Sequence, residues 1–184
     1  MLFSSIIVWL CIPFRQRHSQ YFYYFFILAI SDPIVYVFRK FGLIHYTIIY
    51  LLLGELLLLS LFRKKELSNK MIYFLTCFLT IDLAYVIIPG KYVAVFLLIL
   101  VHTLIFFRFI YILVMNISLK NVIQMFTVIL VLYEITIITK FINILTNFTD
   151  AYIYFIITTI FEIFIGLFFI IFREDNPRLL LQLK

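Results

Sequence analysis

The chain has 184 residues, 66% hydrophobic, 20% aromatic and only 13% charged, with 15 Lys and Arg against 9 Asp and Glu and a mean hydropathy of +1.17. That composition excludes an ordinary soluble domain and predicts an integral membrane protein. The basic residues stand in short clusters between apolar runs instead of along one face, which argues against a nucleic-acid partner and makes them signals of membrane topology.

The apolar runs are about as long as the roughly 20 residues a helix needs to cross about 30 Å of hydrocarbon, and they do not alternate as barrel strands do. The expected fold is all-α: a polytopic transmembrane bundle of seven helices near residues 2–14, 21–38, 43–62, 71–89, 92–115, 121–139 and 149–172. Residues 1–172 form a single domain, and 173–184 a short tail.

The first segment, 2–14, is short for a full span. It has no basic residues before its apolar run and no A-x-A-like cleavage site, so it reads as a retained anchor, and six helices plus a peripheral segment is the alternative. In the second helix Ser31-Asp32-Pro33 sets a carboxylate directly before a proline, which lacks an N–H and frees a backbone acceptor four residues back. Such a site suits a kink satisfied by Ser31 and Tyr36, or a carboxylate that meets a cation or a proton. The third helix carries Glu55, the fourth Asp82, and the fifth His102 and Arg108. On the sixth, Gln124, Thr127, Val131 and Glu134 follow at helical spacing, and on the seventh Thr158, Glu162 and Gly166 do the same. These polar stripes on apolar helices are faces that neighbouring membrane helices use as contacts. Cys11 and Cys77 lie far apart in apolar segments and are expected to be buried free thiols. In the tail, Pro177 breaks the chain, and the following Leu180 and Leu181 suit either the membrane surface or a disordered end.

Counted from the basic end of each helix at about 1.5 Å per residue, Asp32, Glu55, Asp82, Arg108, Glu134 and Glu162 all fall roughly 12 to 20 Å deep. The expectation is one intramembrane polar layer near the midplane. A charge there costs about 2.5 to 3.5 kcal/mol on insertion scales, so each residue should face the bundle interior and find a partner. Arg108, the one basic side chain well inside a predicted span, is expected to pair with Glu55 or, second, with Glu162. His45 and His102 lack a small-residue groove for a porphyrin, so no haem is expected, and no metal or other cofactor either.

Ten basic residues (Arg15, Arg17, Arg63, Lys64, Lys65, Lys70, Lys120, Arg173, Arg178 and Lys184) fall on one side of the expected bundle, and Arg39, Lys40, Lys91 and Lys140 on the other. The excess predicts an outside N-terminus and a cytoplasmic C-terminus. Asn116-Ile117-Ser118 and Asn147-Phe148-Thr149 match the glycosylation pattern but fall on opposite sides.

The stretch from Tyr21 to Phe62, YFYYFFILAISDPIVYVF followed by YTIIYLLLGELLLLSLF and the basic RKK, resembles small uncharacterised seven-helix membrane proteins of Bacteroidota. Asp32, Glu55 and Arg63 to Lys65 carry that resemblance. It implies a sensor-like or accessory membrane module in the bacterial inner membrane, with protein subunits as partners. An Ile-, Phe-, Tyr- and Lys-rich composition also fits an AT-rich genome, so an organelle membrane is the alternative. No hydrolase motif or phosphate loop is present, and only helix count and paired acids leave room for an intramembrane hydrolase resembling the lysoplasmalogenase-like enzymes. The function expected is therefore noncatalytic, with a small proton or cation channel or transporter as the second reading.

Overall fold

The computed structural model describes residues 2–41, 46–62, 64–88 and 90–182. Among them the chain forms seven helices: α1 (Leu2–Arg15), α2 (Phe22–Phe41), α3 (Tyr46–Ser60), α4 (Lys64–Ile87), α5 (Lys91–Lys120), α6 (Met125–Thr146) and α7 (Ala151–Ile171). Four segments, Phe22–Phe41, Tyr92–Lys120, Met125–Thr146 and Tyr152–Ile171, are long and apolar enough to cross a membrane. α1, α3 and α4 contribute shorter apolar stretches. His45 lies outside the described residues.

Helix ends follow local chemistry. α5 and α6 each stop at an asparagine in the left-handed region, Asn121 (φ 51°) and Asn147 (φ 48°), whose N–H groups donate to Ile117 O and Asn143 O. Asparagine tolerates this conformation, so it ends a helix where glycine is absent. Asp150 then starts α7 by accepting hydrogen bonds from the N–H groups of Tyr152 at 2.8 Å and Ile153 at 3.4 Å. α2 continues through Pro33 without a break, and the Ser31 hydroxyl donates to Ile27 O instead of turning to the carbonyl the proline frees.

α1, α2, α3, α5, α6 and α7 contact one another in that order and α7 returns to α1, which closes a ring of six helices. α4 sits outside, packed against α3 and α5. Its inward residues are Phe78, Ile81 and Tyr85, while Ile72, Leu79, Leu83 and Val86 are exposed. Where α1 crosses α7, a Cβ on Gly166 would come within 2.6 Å of Val8 Cγ1, so glycine lets the two backbones approach there.

The tail is ordered, which overturns the disordered end, and Leu180 and Leu181 are exposed. Pro177–Leu179 makes one 3₁₀ turn, and β2 (Leu180–Gln182) pairs antiparallel with β1 (Val122–Gln124) in the α5–α6 connection. Leu179 is buried. Backbone pairing competes successfully with a loose surface tail because Glu174 anchors it, accepting from the Ser19 hydroxyl at 2.6 Å and the Gln20 N–H at 2.9 Å. The fully buried Gln16 adds its amide, donating to Phe169 O and Phe172 O at 2.7 and 2.8 Å. The bundle thus has a tail end, where α1, α5 and α7 finish, and a far end, where they begin. Cys11 and Cys77 are free but exposed on the outer faces of α1 and α4, not buried.

Candidate functional site

A cavity of about 390 Å³ lies inside the ring. All six ring helices line it and, among the described residues, α4 does not. The lining runs from the far end, with Ser5 early in α1, Tyr50 early in α3, Lys140 late in α6 and Phe155 early in α7, to the middle of the ring, with Trp9, Leu28, Tyr133 and Glu162. Its walls are mostly Leu, Ile and aromatic residues, with a few charges set among them, the ordinary make-up of a small-molecule site.

Those charges are Asp32, Arg39, Lys140 and Glu162. Lys140 Nζ stands 3.0 Å from Glu162 Oε1, joining α6 to α7, and 4.6 Å from the centre of the Phe155 ring. The ring face adds a cation–π contact to the ion pair. Asp32 is exposed at the cavity rim and takes only a long hydrogen bond, 3.4 Å, from the Tyr50 hydroxyl. Tyr36 and Arg39 follow Asp32 on the same face of α2 and complete that rim.

The floor is a buried triad. Glu134 is fully inaccessible, and each of its oxygens is engaged: the Tyr24 hydroxyl donates to Oε1 at 2.5 Å, and His102 Nδ1 lies 2.8 Å from Oε2. One carboxylate on α6 therefore ties α2 and α5 together across the ring. His102 lines the cavity while its Nδ1 is held by Glu134.

Below the triad the ring is filled by rings. Tyr21, Phe25, Phe109, Phe126 and Phe169 are buried and meet in edge, stacked and tilted contacts at centroid distances of 4.9 to 6.1 Å. Phe25 lies near the start of α2, Phe126 near the start of α6 and Phe169 near the end of α7, so this plug occupies the tail-end half. Thr127 sits fully buried beside it, donating to Gln124 Oε1 at 3.0 Å.

The six residues expected in one layer are thus divided among four places. Glu134 lies in the floor and Asp32 and Glu162 in the cavity, whereas Glu55 and Asp82 leave the ring for the α3–α4 side, within electrostatic reach of each other. Each of those two has a buried oxygen without a hydrogen-bond partner among the described residues. Arg108 overturns the expected pairing with Glu55 or Glu162. Its Nη2 forms an ion pair with Glu66 at 2.5 Å and donates to Leu61 O at 3.4 Å, with the guanidinium 4.3 Å from the centre of the Phe62 ring. The reason is the length of α5, about 45 Å for 30 residues. It overshoots α3, so Arg108 stands level with the α3–α4 turn and its long side chain reaches the polar groups there.

Lys140 takes the role expected of Arg108. Sequence reasoning placed it in a loop, because α6 was expected to end near 139, but the helix runs to Thr146. The signal was the mostly apolar Phe-Ile-Asn-Ile-Leu that follows Lys140, two residues before a good left-handed cap, Asn147. Tyr24, Tyr50 and Trp9 were also missed, being indistinguishable by pattern from the other aromatic residues. Among the described residues no group of three or more His, Cys, Asp or Glu side chains could hold a metal ion. No protein-family model matches the chain, and no curated protein or solved structure matches it.

Proposed function

We propose that this protein is a noncatalytic, sensor-like or accessory integral membrane module that receives a small ligand in a cavity open at one end only. In this reading all seven helices lie in the bilayer, the N-terminus is outside, the tail is cytoplasmic, and the membrane is a bacterial inner membrane. The observation that carries it is the aromatic plug between the cavity floor and the tail end. A proton or cation path needs polar groups or water along its whole length. Here the cavity lining includes His102, and behind it Glu134 has both oxygens already used by Tyr24 and His102.

A sensor also needs a physical link from ligand to output. α7 carries Glu162 in the cavity and Phe169 in the plug, and its end is held by Gln16. The chain then runs into Glu174 and the β1–β2 pairing. In this reading the signalling partners are protein subunits that meet the tail end.

Reconstituted vesicles test the reading. Proton, sodium and potassium flux should equal that of empty vesicles, for the wild-type chain and for Glu162→Gln alike. Flux above that background that is lost in Glu162→Gln would replace the module with a conduit.

A further inference from the structure

We infer that the cavity binds an amphiphilic organic ammonium ion, its cationic head on Asp32 and its apolar body against the wall formed by Trp9, Leu53 and Leu98. The inference rests on the one-ended cavity reading above and adds the class of its ligand.

Charge pairing inside the cavity selects the sign of the head group. Of the two carboxylates, Glu162 has Lys140 at 3.0 Å. Asp32 has no cation within ion-pair distance among the described residues, only the Tyr50 hydroxyl at 3.4 Å. An incoming anion meets the opposite situation. Lys140 is held by both Glu162 and the Phe155 ring, and Arg39 has an interaction of its own, so an anionic head would have to break an existing contact. An ammonium completes a charge-assisted hydrogen bond that the protein leaves unfilled.

Position and surroundings agree with that sign. Asp32 is exposed on the rim, roughly 15 Å along α2 from its first residue, where an entering head group meets it. Tyr36 and Tyr50 beside Asp32 supply aromatic faces, which attract ammonium groups. The volume, about 390 Å³, is in the range of sites for small organic ligands.

Trp9 is the only tryptophan and lines the cavity, so its fluorescence reports occupancy directly. The protein in lipid nanodiscs would be titrated at pH 7 with octylamine, octanol and octanoate, three probes with the same chain and different heads. Octylamine should change Trp9 emission saturably and at least tenfold more tightly than either of the others. Asp32→Asn should remove that preference, Asp32→Glu should keep it, and Glu55→Gln, outside the cavity, should leave it unchanged. Equal affinities for the three probes, a preference for octanoate, or undiminished octylamine selectivity in Asp32→Asn would overturn the inference. Should Asp32→Asn not fold, the wild-type and Asp32→Glu titrations decide by the same tenfold criterion. Loss of amine selectivity without ion flux defeats the inference alone, whereas ion flux defeats the module reading and leaves the titration to be judged by itself.

Discussion

Glu134 is the residue on which the interior depends, because a fully buried carboxylate is costly unless its oxygens are occupied. Tyr24 and His102 occupy them. Tyr24→Phe leaves Oε1 buried without a donor, and it should cost about 1 to 3 kcal/mol in reversible unfolding in mixed micelles. In a Glu134→Leu background the same Tyr24→Phe change should cost far less, since the acceptor is gone. Equal costs in both backgrounds would mean that the Tyr24 hydroxyl serves something else. Part of this site was legible beforehand: Glu134 and Glu162 sit on polar stripes whose spacing predicted burial, and both are buried. Their partners were not, because a tyrosine in YFYYFF carries no mark of which ring turns inward, and because Lys140 looked like a loop residue. Depth counting also failed for Arg108, since an error of a few residues in a helix end becomes an error of a turn in depth.

The helices themselves were readable, and their ends less so. Seven apolar runs gave seven helices in the expected order among the described residues, but α5 and α6 each run several residues beyond expectation to an asparagine cap. The contact of α1 with α7 turns on Gly166. An alanine there would bring its Cβ to Val8 Cγ1 at 2.6 Å, so Gly166→Ala should destabilise the protein by about 1 to 3 kcal/mol, the usual cost of overpacking. Val8→Ala should recover much of that loss in the double variant, measured by the same unfolding assay. No recovery would place the strain elsewhere than at this crossing. Gly54 is the milder case, with Val101 Cγ1 at 3.2 Å from the same kind of added atom.

The ring was the feature least accessible from sequence. The short connections α1–α2, α2–α3, α5–α6 and α6–α7 join helices that are neighbours in space, but nothing marked α4 as the helix left outside while α3 meets α5 directly. In water an amphipathic stripe would reveal the inward face of α4; a helix bordering lipid is apolar on both faces, so its pattern says little about which side is packed. Closing the ring without α4 is what gives it an inside: a mostly apolar cavity with a few charges from the far end to the middle, and aromatic packing at the tail end. That division is the central claim, and accessibility to a membrane-impermeant thiol reagent tests it most directly. In a Cys11→Ser, Cys77→Ser background, Ser5→Cys in the cavity should react only with reagent on the far-end side, and His18→Cys only with reagent on the tail side. Thr127→Cys, beside the plug, should react from neither. Reaction of Thr127→Cys from either side, or of Ser5→Cys from the tail side, would show a path through the ring and contradict the account.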